Sequence, residues 1–245
     1  MTPPETGDRV ARYRAARDRV LGRIELACGR AGRDPSSVTL LAVSKTIPAD
    51  ALRDAVSAGL RDLGENRVQE GMAKAPDVPG AHWQLIGPLQ GNKVRRALEV
   101  FEVVQSLDSV VLAERIDRLA GEVRPGRPCP VLLQVNVDDD PAKAGFQPDE
   151  LAGVATRLGE LEHLEIRGFM TIGRLVDHPE AARPTFRRLR ELADRIRAAE
   201  PRIGPALSMG MTDDFEIAIE EGATIVRVGR ALFGERHADH PGHRP

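Results

Sequence analysis

Lys45 closes the apolar run Val38-Thr39-Leu40-Leu41-Ala42-Val43-Ser44 and is followed by Thr46-Ile47-Pro48. The run is short for a helix and rich in Val and Leu, the pattern of a strand buried on both faces. A lysine at the C-terminal end of such a strand stands where parallel α/β folds build their sites. Burial lowers an amine's proton affinity, and a neutral amine attacks a carbonyl to form a Schiff base. The chain has four lysines, Lys45, Lys74, Lys93 and Lys143, among 35 basic residues, so arginine is its ordinary cation. A lysine kept in that setting suits amine chemistry that a guanidinium does not perform. Taken alone, a lysine at a strand end is more often a solvated rim residue.

Other apolar runs end in polar clusters. These are Gly64-Glu65-Asn66-Arg67-Val68-Gln69-Glu70, Ile86-Gly87-Pro88-Leu89-Gln90, Gln134-Val135-Asn136-Val137 with Lys143, Ser208-Met209-Gly210-Met211-Thr212-Asp213-Asp214, and Arg227-Val228-Gly229-Arg230. Each has a plain reading as a turn or helix cap, and Asp213 with Glu216 has the spacing of a capping box. In a barrel, however, the loops after the last two strands commonly hold a phosphate at a helix N-terminus. Ser208 and Gly210 offer a hydroxyl and open backbone, and Gly229-Arg230 opens a helix. Arg227 lies inside the apolar stretch Thr224–Val228 and needs a partner there, either a carboxylate or a ligand acceptor such as a pyridine nitrogen. A lysine, a phosphate cradle and a donor to a ring nitrogen are the parts of a pyridoxal 5′-phosphate (PLP) site. An arginine opposite that nitrogen does not readily give up a proton, which limits the ring as an electron sink.

The elements that must position these residues alternate along the chain. An amphipathic helix is predicted from Asp8 to about Ala31, with Val10, Tyr13, Val20, Leu21, Ile24 and Cys28 near a 3.6-residue period. Strands are predicted at Val38–Ser44, Asp62–Gly64, His82–Ile86, Phe101–Gln105, Pro130–Val137, Leu164–Thr171, Ala206–Met209 and Thr224–Val228, with helical patterns between them. Regular interleaving implies parallel pairing and right-handed crossovers. About eight βα units in a chain of 245 residues is the arithmetic of a single (β/α)8 TIM-type barrel preceded by an extra helix. A doubly wound open sheet is the main competitor. One domain is expected over 1–245, with the barrel at about 38–234 and a polar tail at 235–245.

Composition excludes several classes. A net charge of −2 leaves no electrostatic footprint for nucleic acid or an anionic membrane. No run reaches membrane-spanning length, and Met1–Asp8 lacks the charged and apolar regions of a signal peptide. Cys28 and Cys129 are far apart and form no CxxC, which reads as a reduced, cytoplasmic compartment. No metal site is expected; His237, His240 and His243 read as a solvated tail, and His82 and His163 as structural residues. A monomer is expected.

At the segments Leu41-Ala42-Val43-Ser44-Lys45-Thr46, Gly64-Glu65-Asn66, Val68-Gln69-Glu70, Ile86-Gly87-Pro88-Leu89-Gln90, Leu207-Ser208-Met209-Gly210-Met211 and Val226-Arg227-Val228-Gly229, the chain resembles the pyridoxal phosphate homeostasis protein family of the YggS/PROSC type. The resemblance runs from about Leu40 to Gly234. It implies a barrel like the N-terminal domain of alanine racemase, with PLP held as an internal aldimine on Lys45. It further implies that Arg227 faces the ring nitrogen, that Ser208, Gly229 and Arg230 surround the phosphate, and that Asn66 lines the pocket. Position 230 commonly carries a hydroxyl in the family and is arginine here. Gln84, Gly91 and Gln105 stand where His, Ser and His are commoner, and Leu63 and Arg67 depart from an aromatic pair.

The expectation is a PLP carrier that buffers the reactive aldehyde and delivers it to PLP-dependent apo-enzymes, with no catalytic residues and weak turnover at most. The alternative is a weak amino-acid racemase. A two-base racemase needs a second proton carrier opposite the lysine, a tyrosine in alanine racemase. The one tyrosine here, Tyr13, lies on the helix before the barrel. A Schiff-base aldolase would leave the Leu207–Met211 block and Arg227 without a cofactor to serve.

Overall fold

The computed structural model describes residues 6–174 and 176–234; the expected tail at 235–245 lies outside the described residues. Helix α1 (Thr6–Arg30) places Val20, Ile24, Ala27 and Cys28 on one buried stripe. It ends where Gly32 takes φ +63° and Arg33 N–H donates back to Cys28 O at 2.9 Å. That is a left-handed glycine stop with its 6→1 hydrogen bond.

Beyond it, strands β1 (Thr39–Val43), β2 (Asp62–Glu65), β3 (His82–Leu85), β4 (Val103–Leu107), β5 (Cys129–Gln134), β6 (Leu164–Met170), β7 (Ala206–Met211) and β8 (Ile225–Val228) pair in parallel, each with the next. β8 returns to β1 with Leu41 opposite Arg227 and Ala42 opposite Val228, which closes the barrel. The open doubly wound sheet is thereby excluded. Helices α2 (Ala49–Ser57), α3 (Val68–Lys74), α4 (Val94–Val100), α5 (Val110–Val123), α6 (Pro148–Gly159), α7 (Arg183–Ala199), α8 (Phe215–Glu220) and α9 (Arg230–Phe233) follow the strands in turn.

Alternation along the strands sorts side chains between two layers. Ala42, Leu63, Leu85, Val104, Leu133, Phe169, Leu207 and Val228 join the cluster between strands and helices. Leu41 and Ile86 face the barrel interior, where a Cβ on Gly64 would lie 3.1 Å from Leu41 and 3.2 Å from Ile86. Helix α1 fastens the closing seam from outside: Tyr13 meets Phe233 of α9 edge-on at 5.6 Å, and the Arg23 guanidinium lies 4.4 Å from the Phe215 ring of α8.

Several expectations shift: the fifth strand ends at Gln134 rather than Val137, and the seventh runs on to Met211 rather than Met209. The fourth strand begins at Val103 rather than Phe101, because Phe101 N–H donates to Ala97 O at 2.8 Å and caps α4. Its ring fills space that only a glycine at 71 leaves open, a Cβ there falling 2.4 Å from Phe101 Cζ. The Asp213/Glu216 capping box does not form: Asp213 pairs with Arg230 and Glu216 with Arg23, and Asp214 takes the N-cap position of α8 without a side-chain capping hydrogen bond. No described helix is long and apolar enough to cross a membrane, and no cluster of metal-ligating residues occurs among the described residues.

Candidate functional site at the C-terminal mouth of the barrel

Lys45 is half-buried just past β1. Leu41 faces the interior in register with Arg227, so alternation returns Lys45 to the barrel side and turns Ser44 outward toward α3. The chain reverses immediately afterwards. Ile47 N–H donates to Ser44 O at 3.0 Å, closing a turn with Lys45 and Thr46 at its centre. Thr46 has φ +67°. That is the sign a type II turn demands at its third position, normally met by glycine.

Arg227 lies two layers deeper, 4 % exposed. Its Nη1 donates to Ser208 O and Ser208 Oγ, each at 2.8 Å, and its Nη2 donates to Thr171 O at 2.7 Å. No carboxylate forms an ion pair with it among the described residues, and its Nε has no hydrogen-bond acceptor among them. Burial pushes the guanidinium below its ordinary value, to about 10, with Asp214 pulling the other way. The group therefore stays charged at neutral pH.

Ser208, fully buried, donates from Oγ to Gln105 Oε1 at 2.6 Å. Gln105 Nε2 donates to Gln84 Oε1 at 2.7 Å, and Gln84 Nε2 reaches Asp62 Oδ1 at 3.5 Å. A polar chain thus crosses the barrel interior from β8 through β7, β4 and β3 to β2. Alternation within β3 and β4 was the signal that could have placed its glutamines inside.

The β7–α8 turn and the start of α9 form the side of the mouth expected to hold an anion. Gly210 has φ +87°, and a Cβ there would lie 2.5 Å from Ala218 Cβ and 2.9 Å from Phe215 Cα. Asp214, buried, accepts from Met211 N–H at 2.6 Å, and burial holds its carboxyl above the usual range. Gly229 N–H reaches only Thr212 Oγ1, at a long 3.4 Å, which leaves it disposed to a better acceptor. Arg230 is turned outward and ion-paired with Asp213. A groove of about 500 Å³ runs beside this turn, lined by Arg23, Arg174, Met211, Thr212, Asp213 and Asp214 among others.

Asn66 is half-buried after β2, and its backbone is crossed so closely by Gly87 that a Cβ would fall 2.2 Å from Asn66 O. Lys143 Nζ donates to Gly173 O at 2.9 Å across the loops following β5 and β6. The structure thus brings Lys45, Asn66, Arg227, Ser208 and Gly229 to one end of the barrel, with Ser208 facing Arg227 and Gln105, and Arg230 paired on the rim. A larger groove, about 740 Å³, lies at the opposite end beside the starts of β4, β5 and β6 and shares no residue with this site.

A cluster not anticipated from sequence underlies Lys45. Lys74, 8 % exposed, donates from Nζ to Ser44 O at 2.9 Å, Glu65 Oε1 at 2.8 Å and Glu70 Oε1 at 2.6 Å. Ser44 Oγ also donates to Glu65 Oε1, at 2.7 Å, and Thr46 N–H donates to Glu70 Oε1 at 2.5 Å. Glu65 Oε2 is buried with no hydrogen-bond partner, and burial holds the Glu65 carboxyl above its usual range against the pull of Lys74. The i,i+4 spacing of Glu70 and Lys74 on α3 was the only sequence trace of it.

The chain resembles known proteins over most of its length. A family model described as "Alanine racemase, N-terminal domain" matches residues 27–237. The pyridoxal phosphate homeostasis protein of Aquifex aeolicus is 43% identical over 220 residues, spanning 89% of this chain and 96% of the relative. That of Pseudomonas aeruginosa is 44% identical over 223 residues, spanning 89% and 93%. PipY of Synechococcus elongatus PCC7942, solved with PLP bound, is 42% identical with a TM-score of 0.76, spanning 86% of this chain and 100% of that one. An alanine racemase of Clostridium difficile shares the fold at 18% identity and a TM-score of 0.65, spanning 89% of this chain and 55% of that one. By the family model and by these relatives, the chain belongs to the pyridoxal phosphate homeostasis protein family, built on the barrel of the alanine racemase N-terminal domain.

Proposed function

We propose that this chain is one domain that binds PLP at the barrel mouth, bonds its aldehyde carbon to Lys45, and serves intracellular PLP homeostasis. The observation that carries the reading is Arg227. A guanidinium buried among carbonyl and hydroxyl oxygens, with no carboxylate ion-paired to it among the described residues, is costly to hold and calls for a function. The donor set fits the cofactor. Lys45 offers an amine above the interior, Arg227 offers Nε toward a ring nitrogen, and the Gly229 N–H, weakly bonded beside the Gly210 turn, offers a donor to an anion. Asn66 lines the same mouth. Ser208 supports the ring side through Arg227, and Arg230 borders the anion side while paired with Asp213.

When bound, PLP supplies an aldehyde that takes up an amine and a ring that withdraws electrons. The chain's own residues favour holding over turnover. Arg227 keeps its proton at neutral pH and gives none to a ring nitrogen. A second proton carrier opposite Lys45 is not supplied by the usual residue types: Tyr13 packs on Phe233 outside the barrel. Cys129 sits at the start of β5, its thiol pushed up by burial to about 11, and Cys28 is buried on α1. The relatives named as homeostasis proteins, and PipY with PLP bound, support PLP holding and homeostasis; carriage in the cytoplasm by a monomer, with PLP-dependent apo-enzymes as recipients, completes the proposal.

The test is borohydride reduction of PLP-loaded protein followed by peptide mass spectrometry. The expected product is a phosphopyridoxyl group on Lys45. Labels scattered over Lys74, Lys93 and Lys143, or no label, would overturn the reading.

A further inference from the structure

Thr46 is a β-branched residue held at φ +67° directly after Lys45. Such a conformation persists only where its surroundings over-determine it, and strained residues of this kind gather at functional sites. Hydrogen bonds on both sides of Lys45 supply those surroundings. Ser44 O, on one side of Lys45, is gripped by Lys74 Nζ and by the Ile47 amide. The Thr46 amide, on the other side, is gripped by Glu70 Oε1. Lys74 ties Glu70 to Glu65, and Glu65 ties back to the Ser44 hydroxyl. Every ammonium proton of Lys74 has an acceptor in this cluster, so its placement is fixed by three directions at once.

We propose that Glu70, with Lys74 and Glu65 behind it, is a positioning device that holds the Ser44–Ile47 turn in its strained form and so aims Lys45 into the barrel mouth. The cluster sits on the outer side of β1 and β2 and acts through the turn rather than on a ligand. Released from Glu70, Thr46 relaxes toward the negative φ ordinary for threonine, and the backbone carrying Lys45 rotates with it. The proposal rests on the PLP reading for its purpose but not for its geometry, and the two are separable by experiment.

Two readouts are taken on the full chain. One is the acetylation rate of Lys45 by acetic anhydride in the absence of PLP, measured by peptide mass spectrometry against Lys93 in the same sample. The other is the PLP dissociation constant from visible absorbance. Glu70→Ala, at a side chain 25% exposed, should leave the circular dichroism spectrum intact. It should alter Lys45 acetylation several-fold and weaken PLP binding about tenfold, the scale set by one residue's backbone strain. Glycine adopts positive φ freely, so Thr46→Gly added to Glu70→Ala should restore most of both. Glu70→Gln should retain most of both as well, because Thr46 and Lys74 use the same oxygen, Oε1. An unchanged Glu70→Ala protein, or a double variant as impaired as Glu70→Ala, would overturn the proposal. Hydrogen exchange at the Thr46 amide of the unmodified protein is a further check: slow exchange is expected, and the rate of an open turn would refute the clamp. If the wild-type PLP label maps away from Lys45, the PLP reading fails while the acetylation and exchange data still decide this one.

Discussion

Replacing Ser208 by alanine separates two roles for one hydroxyl. If it served only a phosphate, Ser208→Ala would cost affinity and leave the ligand-free protein untouched. In the structure Ser208 Oγ is the donor to Gln105 Oε1 at 2.6 Å and an acceptor from Arg227 Nη1 at 2.8 Å. Gln105 is fully buried, so its oxygen loses its partner and gains no water. An orphaned buried acceptor costs about 1–3 kcal/mol. Arg227 Nη1 keeps Ser208 O, so its lost bond adds only about 1 kcal/mol. The sum, about 2–4 kcal/mol, should appear in urea unfolding of the ligand-free protein as a lower midpoint with an unchanged slope. In a chain of this size Tm should fall by roughly 2–4 °C for each kcal/mol. A loss within about 0.5 kcal/mol of wild type, the range of inconsequential surface changes, would refute the claim that this hydroxyl joins the two halves of the interior chain.

Gly210→Ala combines a positive φ with a Cβ 2.5 Å from Ala218 Cβ and 2.9 Å from Phe215 Cα. Backbone and packing penalties together should destabilise by about 2–5 kcal/mol, seen as a lower unfolding midpoint; a midpoint at the wild-type value would refute the close packing of the Gly210 turn on α8. Glu65 has its carboxyl held above its ordinary 4.5. The folded state therefore binds a proton the unfolded state has released, and the associated stability is present below pH 4.5 and lost as pH rises through the folded value. Glu65→Gln removes that dependence, so its stability should improve relative to wild type as pH is raised from below 4.5 toward neutrality; a constant difference across that range would contradict the assignment.

The barrel was legible because most strands are apolar runs bounded by turn residues, and regular βα alternation leaves few topologies open. Even Asp62–Glu65, a short strand containing a glycine, pairs on both sides. What the linear chain does not display is which acidic and basic groups meet across it. Asp213 and Glu216 have the spacing of a reciprocal cap, yet Arg230 and Arg23 reach them first. The strand end at Lys45 pointed to the mouth, but the left-handed Thr46 carries no glycine to announce it. Glu65 and Lys74 lie nine positions apart, and only the fold of β2 against α3 makes them a pair.

The seam between β8 and β1 bears on how the chain is made. Helix α1 leaves the ribosome before any of the eight strands, with Val20, Ile24, Ala27 and Cys28 along one side. Tyr13 must wait for Phe233, and Arg23 for Phe215 and Glu216, before that side is covered. β1 likewise has a partner in β2 early but lacks β8 until nearly every other strand has been translated. A nascent chain of this protein thus carries an uncovered apolar stripe and an open strand edge through most of its synthesis, the two kinds of surface that invite misassociation and recruit chaperones.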